Sequence, residues 1–435
     1  MRKLSSSDKM LAYVSYNSDS PTVNGRYVHW EKLRRLPPIP EWTTEERWLL
    51  LKRARSTLLK PMPLRSTTNK NFHVALPEEA LEQLHLLDRD AGSQILISED
   101  ILNRESQRRY VISSLMEEAI TSSQIEGAAT TRKDAKEMLR TGRLPRDHSE
   151  RMILNNYRAM QHISSIAKQP LTQEVVFELH RILGDNALDV KDGAGRFRRP
   201  DEHIGVYTPE NDLLHDPPPA DQLPERMKQM CDFANGLTPS TFVHPVVRAI
   251  ILHFWLAYDH PFADGNGRCA RALFYWAMLR SNYWLAEFLS ISSVIRKAKV
   301  QYGRAFLYVE TDDFDLTYFV LYHLEVIRKA IDELRGHLQR KMREVRTTES
   351  LLRKTSGFNH RQLALLSHAL RHPEAEYTIE SHRNSHDVVY ETARKDLLDL
   401  ADRGLLSKRE RGKSFVFHVS PTLADKLSDG TPSNL

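Results

Sequence analysis

The chain has little cysteine: two in 435 residues, Cys231 and Cys269. Two are too few for a disulfide framework and their spacing is not that of metal ligands, so a reducing cytoplasm is the expected compartment. Long apolar runs are also missing. Even Ala249–Leu256 is soon interrupted by Asp259 and His260, which excludes a membrane-spanning helix. Met1–Met10 lacks the apolar centre of a signal peptide. Nor is there a large charge excess, and a net +5 does not by itself indicate nucleic acid. What remains is 40% hydrophobic and 27% charged residues, over a length too great for one ordinary core. Two or three globular domains are expected.

One segment concentrates chemistry: His260-Pro261-Phe262-Ala263-Asp264-Gly265-Asn266-Gly267-Arg268-Cys269-Ala270-Arg271. It lies between two helix-patterned stretches. Gly265-Asn266-Gly267 lets backbone N–H groups approach a phosphate, and a helix starting there points its partly positive end at the same anion. Arg268 and Arg271, three apart on that helix, reach different phosphates of one polyphosphate. Asp264 is a hard oxygen ligand suited to Mg²⁺ shared with substrate phosphates. His260 is the natural proton acceptor near neutral pH. A purely structural corner would need neither the base, the carboxylate nor two cations at helical spacing. Cys269 reads as a small buried residue rather than a nucleophile.

This segment resembles the signature of the Fic family, His-Pro-Phe-x-Asp-Gly-Asn-Gly-Arg-x-x-Arg, at every specified position. The lead-in His244-Pro245-Val246-Val247-Arg248-Ala249, with His253 beyond it, is similar to the helix preceding that signature. The resemblance implies a protein adenylyltransferase that moves AMP from ATP, with Mg²⁺, onto a Ser, Thr or Tyr hydroxyl of a target protein or of itself. His260 is then the base, Asp264 the metal ligand, and Gly265, Asn266, Gly267, Arg268 and Arg271 hold the nucleotide. Upstream, Ser122-Ser123-Gln124-Ile125-Glu126-Gly127 resembles the family's inhibitory motif, so Ser122, Glu126 and Gly127 are expected on an inhibitory helix of about 115–127. Glu126 would pair with Arg271 in place of the γ-phosphate. A helix simply ending at Gly127, with Glu126 in solvent, is the plain alternative.

Residues 196–217 read as two short strands about a polar turn and resemble the family's flap, with Ile204 and Gly205 as the edge that takes a target segment by main-chain pairing. Elsewhere the pattern is helical. Thr43 with Glu46 forms a capping box for a helix to Arg55 in an otherwise irregular 11–70. Leu81, Leu84 and Leu87 mark another near 77–87. Met152, Leu154, Tyr157, Met160 and Ile163 mark an amphipathic core helix, Thr172 caps the next, and 316–346 is a long charged helical run.

The expected fold class is mainly α: a Fic-type helical core (106–345, after an accessory region 1–105) with a β-hairpin flap. A small winged-helix-like α+β domain (346–425) and a disordered tail (426–435) follow. In that last domain Gln362–Leu370 and Val388–Asp402 read as helices and Leu406–Arg409 with Phe415–Val419 as a hairpin. Lys408, Arg409, Arg411 and Lys413 at the wing suit DNA phosphates. Glu391, Asp396, Asp399 and Asp402 weigh against that, so protein docking or a homodimer is held equally open. Three further readings stay open: removal of AMP from modified proteins, transfer of another phosphate-containing group, and a nucleotide-sensing DNA-binding regulator.

Overall fold

The computed structural model describes residues 20–39, 42–92, 104–188, 190, 192–202, 204–207, 210–353, 357–411 and 414–428. Two compact units divide the chain, Met1–Leu334 and Arg335–Leu435. Its main elements are α1 (Thr44–Ser56), β1 (Lys60–Arg65), β2 (Asn71–Val74), α2 (Glu78–Gly92), α3 (Arg104–Ile125), α4 (Arg132–Thr141), α5 (His148–Ile166) and α6 (Gln173–Gly184). Then come β3 (Val206–Tyr207), β4 (Leu213–His215), α7 (Leu223–Ala234), α8 (Pro245–Asp259), α9 (Asn266–Arg280), α10 (Ile291–Lys297), α11 (Lys299–Thr311) and α12 (Thr317–Arg353). The fold is mainly α, as expected. No described helix is long and apolar enough to cross a membrane.

The centre of the first unit is the pair α8 and α9, which pack on each other across the short His260–Gly265 turn. Ile250, Ile251, Leu252, Phe254, Trp255 and Leu256 are all buried, so α8 is apolar on every face and has to lie inside. α9 is enclosed by α3, α5 and α6. α5 turns Met152, Met160 and Ile163 inward and leaves Leu154 and Tyr157 half-buried. Thr172 caps α6 through the Val175 amide, at 3.3 Å. Cys231 and Cys269 are free and buried.

The described part of 11–70 is less irregular than its sequence suggests, because β1 and β2 form an antiparallel hairpin. Pro61 and Pro63 obscure the strand, but in a two-stranded sheet each strand is an edge and tolerates a missing N–H. Met62, Leu64, Phe72 and Val74 face inward, and Phe72 packs within 5.0–5.5 Å of the rings of Tyr258, Phe314 and Phe254. Along α2, Leu84 and Leu87 are buried while Leu81 is 54% exposed, so three-residue spacing overstates the apolar face.

In the second unit α13 (His360–Arg371), β5 (Glu376–Thr378), α14 (Ile379–His386), α15 (Tyr390–Asp402), β6 (Leu406–Arg411), β7 (Ser414–Val419) and α16 (Leu423–Ser428) follow in order. The sheet order is β5-β7-β6. β5 and α14 are additions to the sequence reading: β5 is only three residues long and α14 is polar, so neither carries a pattern. Leu366, Ala369, Ala393, Leu397, Leu400 and Phe417 form its core. The expected disorder of the tail is corrected for 426–428, since Leu423 and Leu427 are buried on α16. Residues 429–435 lie outside the described residues, as do Met1–Met10 and Lys413.

Within the first unit the N-terminal region is held to α12 by Arg55, whose side chain is fully buried at the end of α1. It donates to Pro21 O, Val28 O and the Tyr318 hydroxyl, each at 2.9 Å, and lies 3.7 Å from the centre of the Tyr27 ring. Tyr27 and Tyr318 in turn donate to Asp315 and Asp312, at 2.5 and 2.7 Å. Arg55→Met keeps the bulk and strands one buried and two half-buried acceptors, so it should lower stability by about 3 kcal/mol, read as a lower urea midpoint with circular dichroism.

Candidate active site

The turn between α8 and α9 is built to present main chain and a base. His260 ends α8 in the left-handed region (φ 45°, ψ 55°), its N–H bonded to Leu256 O at 3.0 Å. A non-glycine residue there costs about 1–2 kcal/mol, which the surroundings must offset. They do so through Asn266, which accepts from Phe262 N at 3.0 Å and donates to Phe262 O at 2.8 Å, closing the loop on itself. Phe262 stacks on the His180 ring at 3.7 Å and 6°. His180 takes the Gly195 N–H on Nδ1 at 2.9 Å, so its proton is on Nε2 and is donated to Asp264 O at 2.9 Å. Burial holds this imidazole neutral, lowered to about 4.

His260 Nδ1 lies 3.2 Å from Ala257 O. A carbonyl only accepts, so Nδ1 carries the proton and Nε2 keeps its lone pair. Burial lowers this imidazole as well, to about 4, and it is neutral at physiological pH. A cleft of about 250 Å³ opens beside it, lined by Glu126, Ile204, Gly205, Tyr207, His260 and the loop Ala263–Gly267.

The flap is the hairpin β3–β4, pairing Val206 with His215 and Tyr207 with Leu213. It is shorter than expected: Ile204 and Gly205 reach the cleft but precede the first strand. Two side chains fix its base to the end of α8. Arg198 donates from Nε to His260 O at 2.9 Å and from Nη2 to Pro218 O. His215 bonds Tyr258 O at 2.7 Å and Glu310 at 2.9 Å, through different ring nitrogens. Burial disfavours its charge, but the Glu310 carboxylate outweighs that and raises its pKa.

α3 brings the upstream motif to the same place. It begins earlier than expected, at Arg104, and ends at Ile125, with Gly127 turning the chain at φ 103°. Arg271, 1% exposed, donates from Nε to Ser122 Oγ at 2.9 Å and from Nη2 to Ser122 O at 3.1 Å and Glu126 Oε1 at 2.8 Å. Glu126 is therefore paired with Arg271, while its side chain stays 31% exposed. Burial disfavours its charge, yet Arg271, with Arg268 and Lys299 behind it, holds the carboxyl below the usual glutamate range. By sign, the stability this pair adds is present above about pH 4.5 and is lost only as pH falls through the lowered value. Lys299 also donates to Ile125 O at 2.7 Å. Glu126 fits because position 267 is glycine: a Cβ there would sit 2.3 Å from Glu126 Oε1.

Ten of the singled-out residues thus surround one cleft or its floor: Ser122, Glu126, Ile204, Gly205, His260, Asp264, Gly265, Gly267, Arg268 and Arg271. Asn266 is present but differs from expectation. Its side chain is consumed by Phe262, leaving only backbone N–H for a phosphate. Two buried guanidinium nitrogens are without partners, Arg268 Nε and Arg271 Nη1, and such donors suit a polyphosphate. For Mg²⁺ the site offers one carboxylate, Asp264, and no group of three or more His, Cys, Asp or Glu side chains suited to a metal occurs among the described residues. One protein carboxylate plus substrate phosphates is how Mg²⁺ is commonly held. His180 and His215 escaped the sequence reading, and Arg198 entered it only as part of the flap, without a role. A histidine in an amphipathic helix and another at the end of a three-residue strand carry no pattern of their own.

The Fic/DOC family profile matches residues 170–278. The protein adenylyltransferase Fic of Drosophila melanogaster is 33% identical over 217 residues, 48% of this chain and 40% of the relative. A protein adenylyltransferase of Caenorhabditis elegans is 30% identical over 148 residues, 34% of this chain and 27% of the relative. The chain thus spans well under half the length of these curated relatives. A Fic family protein from Desulfovibrio desulfuricans G20 superposes with a TM-score of 0.52 at 20% identity, covering 78% of this chain and 94% of that one, which shows a shared fold. With the turn, the cleft and this match together, the chain carries a Fic/DOC family domain at residues 170–278.

Proposed function

We propose that the protein is an autoinhibited adenylyltransferase that moves AMP from ATP to a hydroxyl side chain of a protein. The observation that carries it is the Glu126–Arg271 pair beside the neutral His260: an anion site already filled by a carboxylate, next to a base with a free lone pair. Asp264 would hold Mg²⁺, which screens phosphate charge when bound. The N–H groups of Gly265–Gly267 and the two arginines stabilise polyphosphate charge at the start of α9. His260 Nε2 takes the proton of the attacking Ser, Thr or Tyr hydroxyl. The base of the flap, fixed by Arg198 and His215, supports main-chain pairing of a target segment near Ile204 and Gly205.

A second direction of the same chemistry is favoured by the place of Glu126 on the cleft wall, where its carboxylate can orient water against a modified hydroxyl and remove AMP. For the C-terminal unit we infer a winged-helix module that contacts DNA phosphates. Asp396 supports this, because it is buried against Arg361 (2.7 Å) and His382 (3.2 Å), while Asp399 takes Gln362 at 2.7 Å. Asp396 is thus neutralised inside the fold, and Asp399 and Glu391 are paired with Arg403 and Arg394, each at 3.0 Å. Lys408 and Arg409 stay exposed on β6.

His260→Ala should lower transfer roughly 10²–10⁴-fold, measured as AMP incorporated from labelled ATP; an unchanged rate would remove the base assignment. Glu126→Gly should raise self-modification about tenfold or more, since a charged hydrogen bond of about 1.5–3 kcal/mol no longer competes for Arg271. Mass spectrometry after incubation with each of the four triphosphates reads both variants and the base preference. With duplex DNA, full-length Lys408→Glu/Arg409→Glu should bind more weakly and with a shallower salt dependence than the parent in a gel shift.

A further inference from the structure

Beside Arg271 lies a polar cluster that the proposed chemistry does not use. Tyr302 of α11 stands beside the guanidinium. Its hydroxyl is 2.9 Å from Nε2 of His253, on α8, which is fully buried. His323 of α12 lies behind, its ring 4.8 Å from that of His253 and at 83° to it. His323 Nδ1 donates to Phe319 O at 3.1 Å. Three buried atoms here have no partner: Arg271 Nη1, His253 Nδ1 and His323 Nε2. Packing alone explains none of them, because apolar side chains would fill this space without leaving polar atoms unpaired.

Donor and acceptor counting gives the cluster a direction. Arginine only donates, so an Arg271 N–H can be met by Tyr302 only at the phenolic oxygen. The hydroxyl proton is then free for His253 Nε2, which accepts it only if His253 carries its own proton on Nδ1. Burial, the neighbouring His323 and Arg271 all disfavour a charged His253, which keeps Nε2 available. The chain Arg271 to Tyr302 to His253 thus points one way.

Arg271 has to change partners for a nucleotide to bind. While Glu126 is seated, Nε and Nη2 are taken by Ser122 and Glu126, and Nη1 makes no bond. When Glu126 leaves, a buried guanidinium with three rotatable carbons behind it needs a fixed acceptor, or it loses the alignment that a terminal phosphate requires. We propose that Tyr302, oriented by His253, is a positioning residue that accepts one N–H of Arg271 and holds its guanidinium for the γ-phosphate. This rests on the reading above, in which Arg271 serves that phosphate.

The test uses the full chain carrying Glu126→Gly, with affinities for ATP and ADP measured by calorimetry. Arg271→Ala first sets the size of the γ-phosphate contribution. Tyr302→Phe should weaken ATP roughly tenfold, the loss of one hydrogen bond to a charged group, and change ADP by less than about twofold. His253→Leu should do the same, and His253→Gln, whose amide oxygen can take the hydroxyl proton, should restore ATP binding. A merely structural role would lower both affinities and the melting temperature together. Equal loss of ATP and ADP in Tyr302→Phe, or no loss, overturns the proposal while leaving Arg271 in its role. If Arg271→Ala itself loses ATP and ADP alike, the γ-phosphate reading falls and the proposal with it.

Discussion

A guanidinium inside a protein has to be answered by charge or by directed acceptors, and Arg271 imposes that constraint on this fold. It is 1% exposed, and its Nε and Nη2 are answered from α3. α3 supplies Ser122 and Glu126, the start of α9 supplies the glycine that lets Glu126 approach, and α11 places Tyr302 beside the guanidinium. Removing the carboxylate without a replacement anion leaves a buried charge unpaired, a cost of several kcal/mol by the usual accounting. A ligand that brings phosphate to the same place removes that cost. On the function proposed, inhibition and substrate binding are two solutions of one electrostatic problem.

The same economy shapes the turn. Its strained His260 is kept in place by contacts whose members are themselves fixed: Asn266 on Phe262, Phe262 on His180, His180 on Asp264 and Gly195. Arg198 ties His260 O to the flap, so the base and the wall that faces it share one support. Charge is tuned by burial throughout. His180, His253, His260 and His323 are all held neutral, while the Glu310 carboxylate raises the pKa of His215 against its burial.

Much of the candidate site was legible before any coordinates. Residues 260–271 are contiguous, and their residue types state a phosphate-handling task on their own. Glu126 was legible only through resemblance, because nothing in Ser122–Gly127 says which side of the helix meets an arginine 145 residues away. Arg55, His180 and His215 were not legible at all, and Arg198 was legible only as part of the flap. Each acts through a partner distant in sequence, and a lone polar residue in a helix or loop has no period to reveal it. The acids of α15 show the same limit in reverse: counted along the chain Asp396 opposes DNA, yet in the fold it is spent on Arg361 and His382.

Local order follows from local rules here. The Thr43–Glu46 capping box, the apolar α8 and the Gly265 start of α9 are consequences of side-chain period, caps and glycine freedom, and the sequence states them without help. The choice of which charges are paired, which histidines are neutral and which nitrogen of His260 keeps its lone pair belongs to the tertiary fold. Desolvation and hydrogen-bond direction depend on neighbours in space, and those neighbours come from α3, α8, α9, α11 and the flap, brought together only when the core closes.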